Sequence, residues 1–484
     1  PQGRDMKTRL IALIAFTAVV AAACSTGLSE QRALTGAAPA GPGGTSVEIP
    51  NREDRPQQPG RPALGENARP YVETLELSIE DIQAFWTTKM PKVFGQEFEP
   101  IPNDKIFAYS QNNPPPACGT GQQPSADDLV GNAFYCSEGG FIAFDDENLF
   151  PKLYKNFGSY AVAMVLAHEW GHAVQDQMGI SGGNVPTVYL EQQADCFAGA
   201  WTKWVDDGDS PNLSLSPGSL DAALGGMLEF RDEPGTNPND PAAHGSGFDR
   251  VRAFRDGFTK GLQACVDYET TPPEVLQLPF TQEEYSTGGN MEFSKLVDSL
   301  VPDFDAWMKA AFPSFKPLSK VEGFDPDTDK VTCGDTTLSA GDADGKVFYC
   351  ASDNSIRFDG PWMAELNADS GDFATGLLLG MHYGVALQAQ QGADDAKITS
   401  EESIEQRACL VGAYSGSLVA DRVEPDPNST RELSISGGDL DEALSALIQF
   451  TSADEKGASG SSLAFDRIEA FQNGVFEGVD ACGF

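Results

Sequence analysis

Apolar residues recur at helical spacing along much of the chain and predict a mainly helical protein. Residues 159–178 place small and apolar side chains on one face and are followed by Gly179, a residue type that commonly ends helices. Further helices are predicted over residues 186–205, 220–230 and 249–262. The aromatic and glycine content of residues 118–150 is typical of a small β-hairpin or sheet. These patterns predict a helix-rich α+β fold.

The same pattern occurs twice, which indicates an internal duplication. The paired segments are Cys118-Gly119 with Cys333-Gly334, Phe134-Tyr135-Cys136 with Phe348-Tyr349-Cys350, LSLSPGSLDAALGGMLEF from Leu213 with LSISGGDLDEALSALIQF from Leu433, and FDRVRAFRDGF from Phe248 with FDRIEAFQNGV from Phe465. Chance does not produce so many matches in the same order. We therefore predict two homologous domains, residues 73–275 and 276–484, joined by a linker that contains proline and glycine.

The N-terminus is typical of an exported protein. Basic residues after the predicted initiator Met6 precede an apolar run too short to span a bilayer, so residues 1–23 are predicted to be a signal peptide. The run ends in Ala21-Ala22-Ala23-Cys24, which resembles a bacterial lipobox and predicts a lipid on Cys24. An ordinary signal peptide followed by a chance cysteine is the alternative. Residues 24–72, rich in glycine, proline and alanine, are predicted to be a flexible tether.

The cysteine count agrees with export. The chain has nine cysteines, and an even number remains once Cys24 carries lipid, as expected for disulfides in an oxidising compartment. Each copy has its own ordered set of four, so we expect pairing within copies. The predicted bridges are Cys118 with Cys136, Cys196 with Cys265, Cys333 with Cys350, and Cys409 with Cys482. Four cysteines allow three arrangements, so spacing alone leaves the connectivity open.

The charge of the chain restricts its partners. The formal net charge is −40, and such a surface repels nucleic acid and anionic membranes. Neither is expected as a ligand, and membrane contact is expected only through the lipid on Cys24. We expect the protein to be lipid-anchored at the extracellular face of the cell membrane or in the cell envelope.

The central chemical motif is HEWGH, with His168, Glu169 and His172 on a predicted helix. Positions i and i+4 share a helix face, so both imidazoles can reach one zinc ion. Glu169 then lies beside the open coordination position, where it can act as general base toward a zinc-bound water. Only four histidines exist in the chain, and two of them stand in this motif. A chance HExxH on a surface helix is the alternative interpretation.

A catalytic zinc requires a third protein ligand. The extended motif HExxHxxGxxH does not continue here, because Gln175 and Met178 occupy the positions that it requires. Glu191 on the following helix is the next candidate, with Asp195 four residues later on the same face. Asp195 can accept the outer N–H of a ligand histidine and so fix its tautomer. Taken alone, the two acidic residues are equally consistent with solvated helix charges.

These motifs together resemble a known group. HEWGHAVQ, LEQQADCFAGAW and HGSGFDRVRAF are similar to segments of the bacterial neutral zinc metallopeptidase family, which has a gluzincin-type HExxH…ExxxD site. The resemblance covers roughly residues 80–266. It implies zinc ligands at His168, His172 and Glu191, Glu169 as base, and Asp195 as the partner of a ligand histidine. It also implies a zincin-like fold and carries little information about substrates.

His244 stands where the motif of this family also has a histidine. Near a zinc site, its ring could donate a hydrogen bond to the oxyanion of a tetrahedral intermediate, so it is predicted as a second catalytic residue. A structural histidine at the start of a helix is the alternative. A further alternative makes His244 the third zinc ligand in place of Glu191.

The second copy lacks these residues. Aligning Gln175 with Gln388 sets the HEWGH motif against Met381-His382-Tyr383-Gly384-Val385. Asp195 aligns with Ala408, and Glu191 aligns with Ile404, or with Glu405 if one residue is gapped. Methionine, valine and isoleucine cannot assemble a zinc site. We therefore predict that the second domain is a metallopeptidase-like domain without metal ligands, a pseudoenzyme domain.

The function predicted from the sequence is zinc-dependent hydrolysis of peptide bonds, with an endopeptidase as the expected type and a peptide or protein as substrate. The alternative is a non-catalytic binding or scaffolding lipoprotein that keeps a metallopeptidase fold. The second domain is expected to pack on the first, as duplicated domains often do.

Overall fold

The computed structural model describes residues 22–23, 47–48, 69–119, 129–180, 185–216, 218–339, 345–424, 431, 433–451 and 463–484. Cys24 lies outside the described residues, as do almost all of the predicted signal peptide and tether. Within the described part of the chain, no helix is both long enough and apolar enough to cross a membrane.

Helices make up most of the described structure, and the predicted helix over residues 159–178 has these same bounds. The helices are α1 (Val72–Val93), α2 (Leu149–Phe157), α3 (Ser159–Met178), α4 (Thr187–Asp206), α5 (Ser219–Leu228), α6 (Gly247–Lys260), α7 (Leu262–Asp267), α8 (Phe293–Ala311), α9 (Gly360–Ser370), α10 (Asp372–Gln390), α11 (Asp395–Ile398), α12 (Glu401–Val423), α13 (Asp439–Thr451) and α14 (Leu463–Glu477).

The strands are short and form small mixed sheets. They are β1 (Ala22–Ala23), β2 (Val47–Glu48), β3 (Ile106–Tyr109), β4 (Ala133–Cys136), β5 (Phe141–Asp145), β6 (Ser214–Leu215), β7 (Lys320–Phe324), β8 (Thr332–Cys333), β9 (Thr336–Thr337), β10 (Val347–Cys350) and β11 (Ser355–Asp359). The sheets have the strand orders β1-β4-β5-β3, β10-β11-β7, β2-β6 and β8-β9. The prediction of a helix-rich α+β fold is confirmed.

The two halves of the chain have similar layouts. In the first, β5 pairs antiparallel with β4 and parallel with β3. In the second, β11 pairs antiparallel with β10 and parallel with β7. The first sheet is followed by α2 to α6 and then by α7, which contains Cys265. The second is followed by α9, α10, α12, α13 and α14 before Cys482, with the additional short helix α11 between α10 and α12.

Four disulfides join the same pairs that the sequence analysis predicts. Two link neighbouring segments, Cys118 with Cys136 and Cys333 with Cys350. The other two are Cys196 with Cys265 and Cys409 with Cys482, and they connect a long helix of each half to that half's last turn. The bridge from Cys196 therefore ties α4 to α7.

Helix α3 lies inside the protein, and every residue from Ser159 to Gln175 is buried. It contacts α4 so closely that a Cβ atom on Gly171 would lie 2.9 Å from the Ala194 Cα atom. Helix α4 approaches α6 closely in turn, because a Cβ atom on Gly257 would lie 1.8 Å from the Cys196 carbonyl oxygen. Glycine at these positions lets three helix backbones come together, and the candidate site lies among them.

Candidate metal centre

Three side chains from two helices converge in the core. His168 and His172 stand one turn apart on α3, and their Nε2 atoms lie 3.1 Å apart. Glu191 on α4 places Oε2 3.2 Å from His168 Nε2 and Oε1 3.4 Å from His172 Nε2. All three residues are buried, and one ligand atom from each lies within 4.8 Å of the others. The structure therefore brings together the three predicted ligands.

Hydrogen bonds on the far side of each ring determine the tautomers. His168 Nδ1 lies 2.7 Å from Asp195 Oδ1, a carboxylate that can only accept. His172 Nδ1 lies 2.9 Å from Gln175 Oε1. The Gln175 amide nitrogen donates to the Leu190 carbonyl oxygen and to Gln193, so the amide oxygen faces the His172 ring. Both Nδ1 atoms therefore donate, and both Nε2 atoms present lone pairs toward Glu191.

The centre thus consists of acceptors that need a positive charge between them. Burial alone raises the pKa of Glu191, but its interactions with His172, His168 and His244 outweigh burial and hold that pKa well below its usual range. Neither Glu191 oxygen accepts a hydrogen bond of good geometry from a described residue. Zinc binds imidazole nitrogen and carboxylate oxygen at about 2.0–2.2 Å, which separates tetrahedral ligand atoms by about 3.4 Å. The observed spacings of 3.1 to 3.4 Å fit such an ion.

Arg250 contacts the candidate centre through Asp195 and is not among the residues predicted from the sequence. Its Nε donates to Asp195 Oδ2 and its Nη2 to Asp195 Oδ1, both at 2.9 Å, while Nη1 donates to the Phe230 carbonyl oxygen. Burial raises the pKa of Asp195, but Arg250 and His168 together lower it below its usual value. The bidentate pair holds the carboxylate that orients His168. The sequence signal that could have indicated Arg250 is its place in the HGSGFDRVRAF segment.

Glu169, the predicted base, is fully buried next to His168 on α3. The two residues line one cavity together with Asp195 and Arg250. The remaining walls are apolar, from Met164, Val165, Ala198, Met227, Phe230 and Phe254. Of the three candidate ligands only His168 lines this cavity, so Glu169 is a buried carboxyl group in a mainly apolar cavity beside that ligand.

His244 lies close to the centre but is held by another carboxylate. Its backbone N–H donates to Asp232, and its Nδ1 lies 3.5 Å from Asp232 Oδ1. Burial lowers the pKa of His244, but the Asp232 hydrogen bond and the charge of Glu191 raise it above its usual value. Among the described residues, the ligand group at this centre consists of His168, His172 and Glu191. The geometry therefore favours Glu191 over His244 as third ligand.

The second half keeps the framework of this centre without its ligands. Gln388 donates to the Ser403 carbonyl oxygen and to Gln406, as Gln175 does to Leu190 and Gln193 in the first half. These matching bonds require an alignment without a gap, so Glu191 corresponds to Ile404 and not to Glu405.

In the second half, an arginine side chain binds the glutamine that corresponds to Gln175, the partner of His172 in the first half. Arg407 Nη1 donates to Gln388 Oε1 at 2.9 Å, where the first half has the His172 Nδ1 atom. His382, which stands where Glu169 does, has its Nδ1 2.8 Å from the Leu378 carbonyl oxygen. Burial lowers the pKa of His382 to about 4, so it is neutral at physiological pH.

The candidate metal centre lies in a part of the chain that is similar to known proteins. Residues 51–268 match the model of a family described as "Putative neutral zinc metallopeptidase". The chain is 29% identical over 196 residues to "Uncharacterized protein YpfJ" of Escherichia coli K12, covering 35% of this chain and 63% of that protein. It is 31% identical over 168 residues to "Uncharacterized protein Rv2575" of Mycobacterium tuberculosis H37Rv, covering 30% and 56%.

The chain thus spans less than two thirds of the length of these relatives. No solved structure matches it significantly. The matched family region contains His168, Glu169, His172, Glu191 and His244, and it ends close to Cys265.

Proposed function

We propose that the first half of this protein is a zinc-dependent peptidase, with an endopeptidase as the most consistent type. One observation carries the proposal. Two imidazole nitrogens and a buried carboxylate converge as acceptors only, and Glu169 lines a cavity together with one of these ligands, His168. A structural zinc site is closed and needs no adjacent acid–base group, whereas hydrolysis requires one.

The roles of the residues follow from their contacts. Bound by His168, His172 and Glu191, zinc would polarise the scissile carbonyl and lower the pKa of a bound water to about 7. Glu169 takes a proton from the attacking water and later gives it to the leaving amine. His244 donates a hydrogen bond to the oxyanion that develops on the substrate.

The remaining residues orient the ligands. Asp195 and Gln175 accept the Nδ1 protons of His168 and His172, so that both Nε2 atoms face the metal. Arg250 keeps Asp195 ionised and in place. A binding or scaffolding protein on the same fold is the alternative function, and it would not need Glu169.

Metal analysis of the purified mature chain is expected to find about one zinc per chain, because only the first half has nitrogen and carboxylate ligands at the matching positions. Inductively coupled plasma mass spectrometry measures the stoichiometry. Digestion of a peptide library should stop on addition of a chelator and resume with zinc. A zinc content near two would contradict the interpretation of the second half as ligand-free.

We also infer that the chain is exported and held at the cell surface by a lipid on Cys24. The short apolar run before this cysteine and the four disulfides support export. Mass spectrometry of the mature N-terminus, compared with a Cys24→Ser variant, tests the lipid. Release of the unsubstituted protein without a lipid mass would contradict this assignment.

The second half is inferred to be a duplicated domain that supports the first, and reciprocal contacts support this role. Asp441, at the start of α13, accepts the backbone N–H groups of Gly247 and Phe248 at 3.0 and 2.7 Å, at the start of α6. The repeat aligns Asp441 with Asp221, whose Oδ1 accepts the Phe465 N–H at 3.0 Å, at the start of α14. Each half thus caps a helix of the other, as two-fold related subunits do.

The centre of this contact is formed by residues that occupy equivalent positions in the repeat. Arg255 in α6 donates to Gln472 Oε1 in α14, and Gln472 Nε2 donates back to the Phe248 carbonyl oxygen. Asp441 caps α6, and α6 carries Arg250, whose guanidinium binds the Asp195 carboxylate on α4. The second half therefore supports the metal centre through one helix N-terminus.

Two single substitutions, one at each cap, distinguish support of the metal centre from a general contribution to stability. Asp441→Ala and Asp221→Ala should each lower the free energy of unfolding by roughly 0.5–2 kcal/mol, the usual cost of a lost helix cap. Only Asp441→Ala should also weaken zinc binding, since α14 carries no residue of the centre. Calorimetry and zinc competition titrations on the full mature chain measure the two effects. Equal zinc affinities in the two variants would refute the supporting role.

A further inference from the structure

A second group of converging oxygen atoms lies in the second half of the chain. Asp372, Asp439 and Glu442 each place one carboxylate oxygen within 4.8 Å of the others. Asp372 is 6% exposed and Asp439 is 4% exposed, and Glu442 is partly buried. We refer to these three residues as the carboxylate cluster.

Three chain segments meet at the carboxylate cluster. Asp372 is the first residue of α10, and its Oδ2 accepts the Met291 backbone N–H at 2.8 Å from the segment before α8. Asp439 and Glu442 lie in the first turn of α13, and Glu442 Oε2 accepts the Phe373 N–H at 2.9 Å. Glu442 lies so close to the backbone that a Cβ atom on Gly371 would be 1.9 Å from its Cδ atom.

One oxygen of the cluster is left without a donor. Asp372 Oδ1 is buried and accepts no hydrogen bond of good geometry from any described residue. A buried carboxylate oxygen without a partner is costly, so its persistence in a cluster of three acidic groups points to a bound cation.

The charged residues around the carboxylate cluster do not neutralise its negative charge. Glu284 adds further negative charge near Asp439, but its own carboxylate pairs with Arg422 at 2.9 Å. Arg231 is the cation that acts on Glu442, and it is paired with Asp441 at 3.4 Å. The Ser436 backbone N–H and hydroxyl, which donate to the two Asp439 oxygens, are uncharged.

The first half shows that folding does not require acidic residues at these places. The repeat aligns Asp439 with Ser219 and Glu442 with Ala222. Asp372, which follows Gly371 at the start of α10, corresponds to Ser159, which follows Gly158 at the start of α3. Serine and alanine thus begin the same helices in the first half, and the three carboxylates are particular to the second half.

We propose that Asp372, Asp439 and Glu442 bind one Ca²⁺ ion, distinct from the zinc centre. Carboxylate oxygens without nitrogen or sulfur donors are the ligands of hard cations, and Ca²⁺ tolerates the irregular geometry of three separate segments. The ion would hold Met291, α10 and α13 together. Since α13 also carries Asp441, the ion would stabilise the helix through which the second half contacts α6.

The experiment compares the full mature chain with the triple variant Asp372→Ser, Asp439→Ser, Glu442→Ala, which restores the residues of the first half. Both proteins are depleted of Ca²⁺ on a chelating resin, and their zinc contents are checked to be equal. Isothermal titration with CaCl₂ and thermal unfolding with and without CaCl₂ are then measured.

We expect the unsubstituted chain to bind one Ca²⁺ and its melting temperature to rise by a few degrees with CaCl₂, by mass action. The triple variant should lose both the binding heat and the shift. No Ca²⁺ response in the unsubstituted chain, or an equal response in the variant, overturns the proposal. A response to MgCl₂ alone overturns the assignment to Ca²⁺. If the triple variant does not fold, Glu442→Ala alone must weaken the response.

Discussion

Replacing Glu169 by glutamine is expected to abolish most peptide hydrolysis while zinc remains bound. Glutamine keeps the size of the buried side chain but cannot take a proton from water, so the rate should fall by about 10²–10⁴-fold, the usual contribution of a general base. Zinc content should be unchanged, because Glu169 is not among the three converging ligand atoms. The change in kcat on a fluorogenic peptide selected from a library, with zinc measured on the same samples, tests this expectation.

The second half provides a matched control. His382 stands at the position equivalent to Glu169, and His382→Gln should leave kcat unchanged, because His382 belongs to neither of the ligand groups found among the described residues. An active protein whose rate is unaffected by Glu169→Gln would contradict the assignment of the base. A protein that binds zinc but cleaves no peptide in the library would favour the binding or scaffolding alternative.

Replacing Asp195 by alanine is expected to have the largest effect on stability. The change leaves the Arg250 guanidinium buried without its carboxylate, and breaking a buried ion pair in this way costs about 3–5 kcal/mol. It also removes the acceptor of the His168 Nδ1 proton, so zinc affinity should fall about 10–100-fold. Chemical denaturation of the metal-free protein and a zinc competition titration separate the two effects.

A second variant distinguishes the effect of the unpaired Arg250 charge on stability from the effect of the lost His168 acceptor on zinc binding. In the double variant Asp195→Ala, Arg250→Met, both charges of this ion pair are removed, so neither is left buried without its partner and much of the lost stability should return. Zinc affinity should stay low, because His168 still lacks its acceptor. Recovery of zinc affinity together with stability would show that Asp195 acts only through the fold and does not orient the ligand.

Much of the metal centre was predictable because its motif is local. The spacing of His168 and His172 places both rings on one helix face, whatever the rest of the fold does. Glu191 and Asp195 share a face of the next helix for the same reason. The ordered repeat of cysteines likewise predicts pairs that the structure contains, since each copy must close its own bridges. Alignment alone also shows that Met381 and Val385 stand opposite the two histidines of the motif.

Other features depend on contacts between residues that are distant in sequence. Arg250 meets Asp195 because α6 crosses α4 at close range, and periodicity does not specify which helices cross. His244 lies in the loop before α6, and its distance from the other ligands depends on where that loop packs. The preference for Glu191 over His244 as third ligand therefore required the structure.

The sequence by itself therefore determined which residues can bind a metal and which half lacks them at the aligned positions, because helix periodicity and an ordered repeat are properties of the chain. Only the tertiary structure decided what surrounds those residues. The Gln175 amide, the exchanged caps of Asp221 and Asp441, and the carboxylate cluster arise where separate helices pack. Packing is set by side-chain shape and burial over the whole core, which no local pattern records.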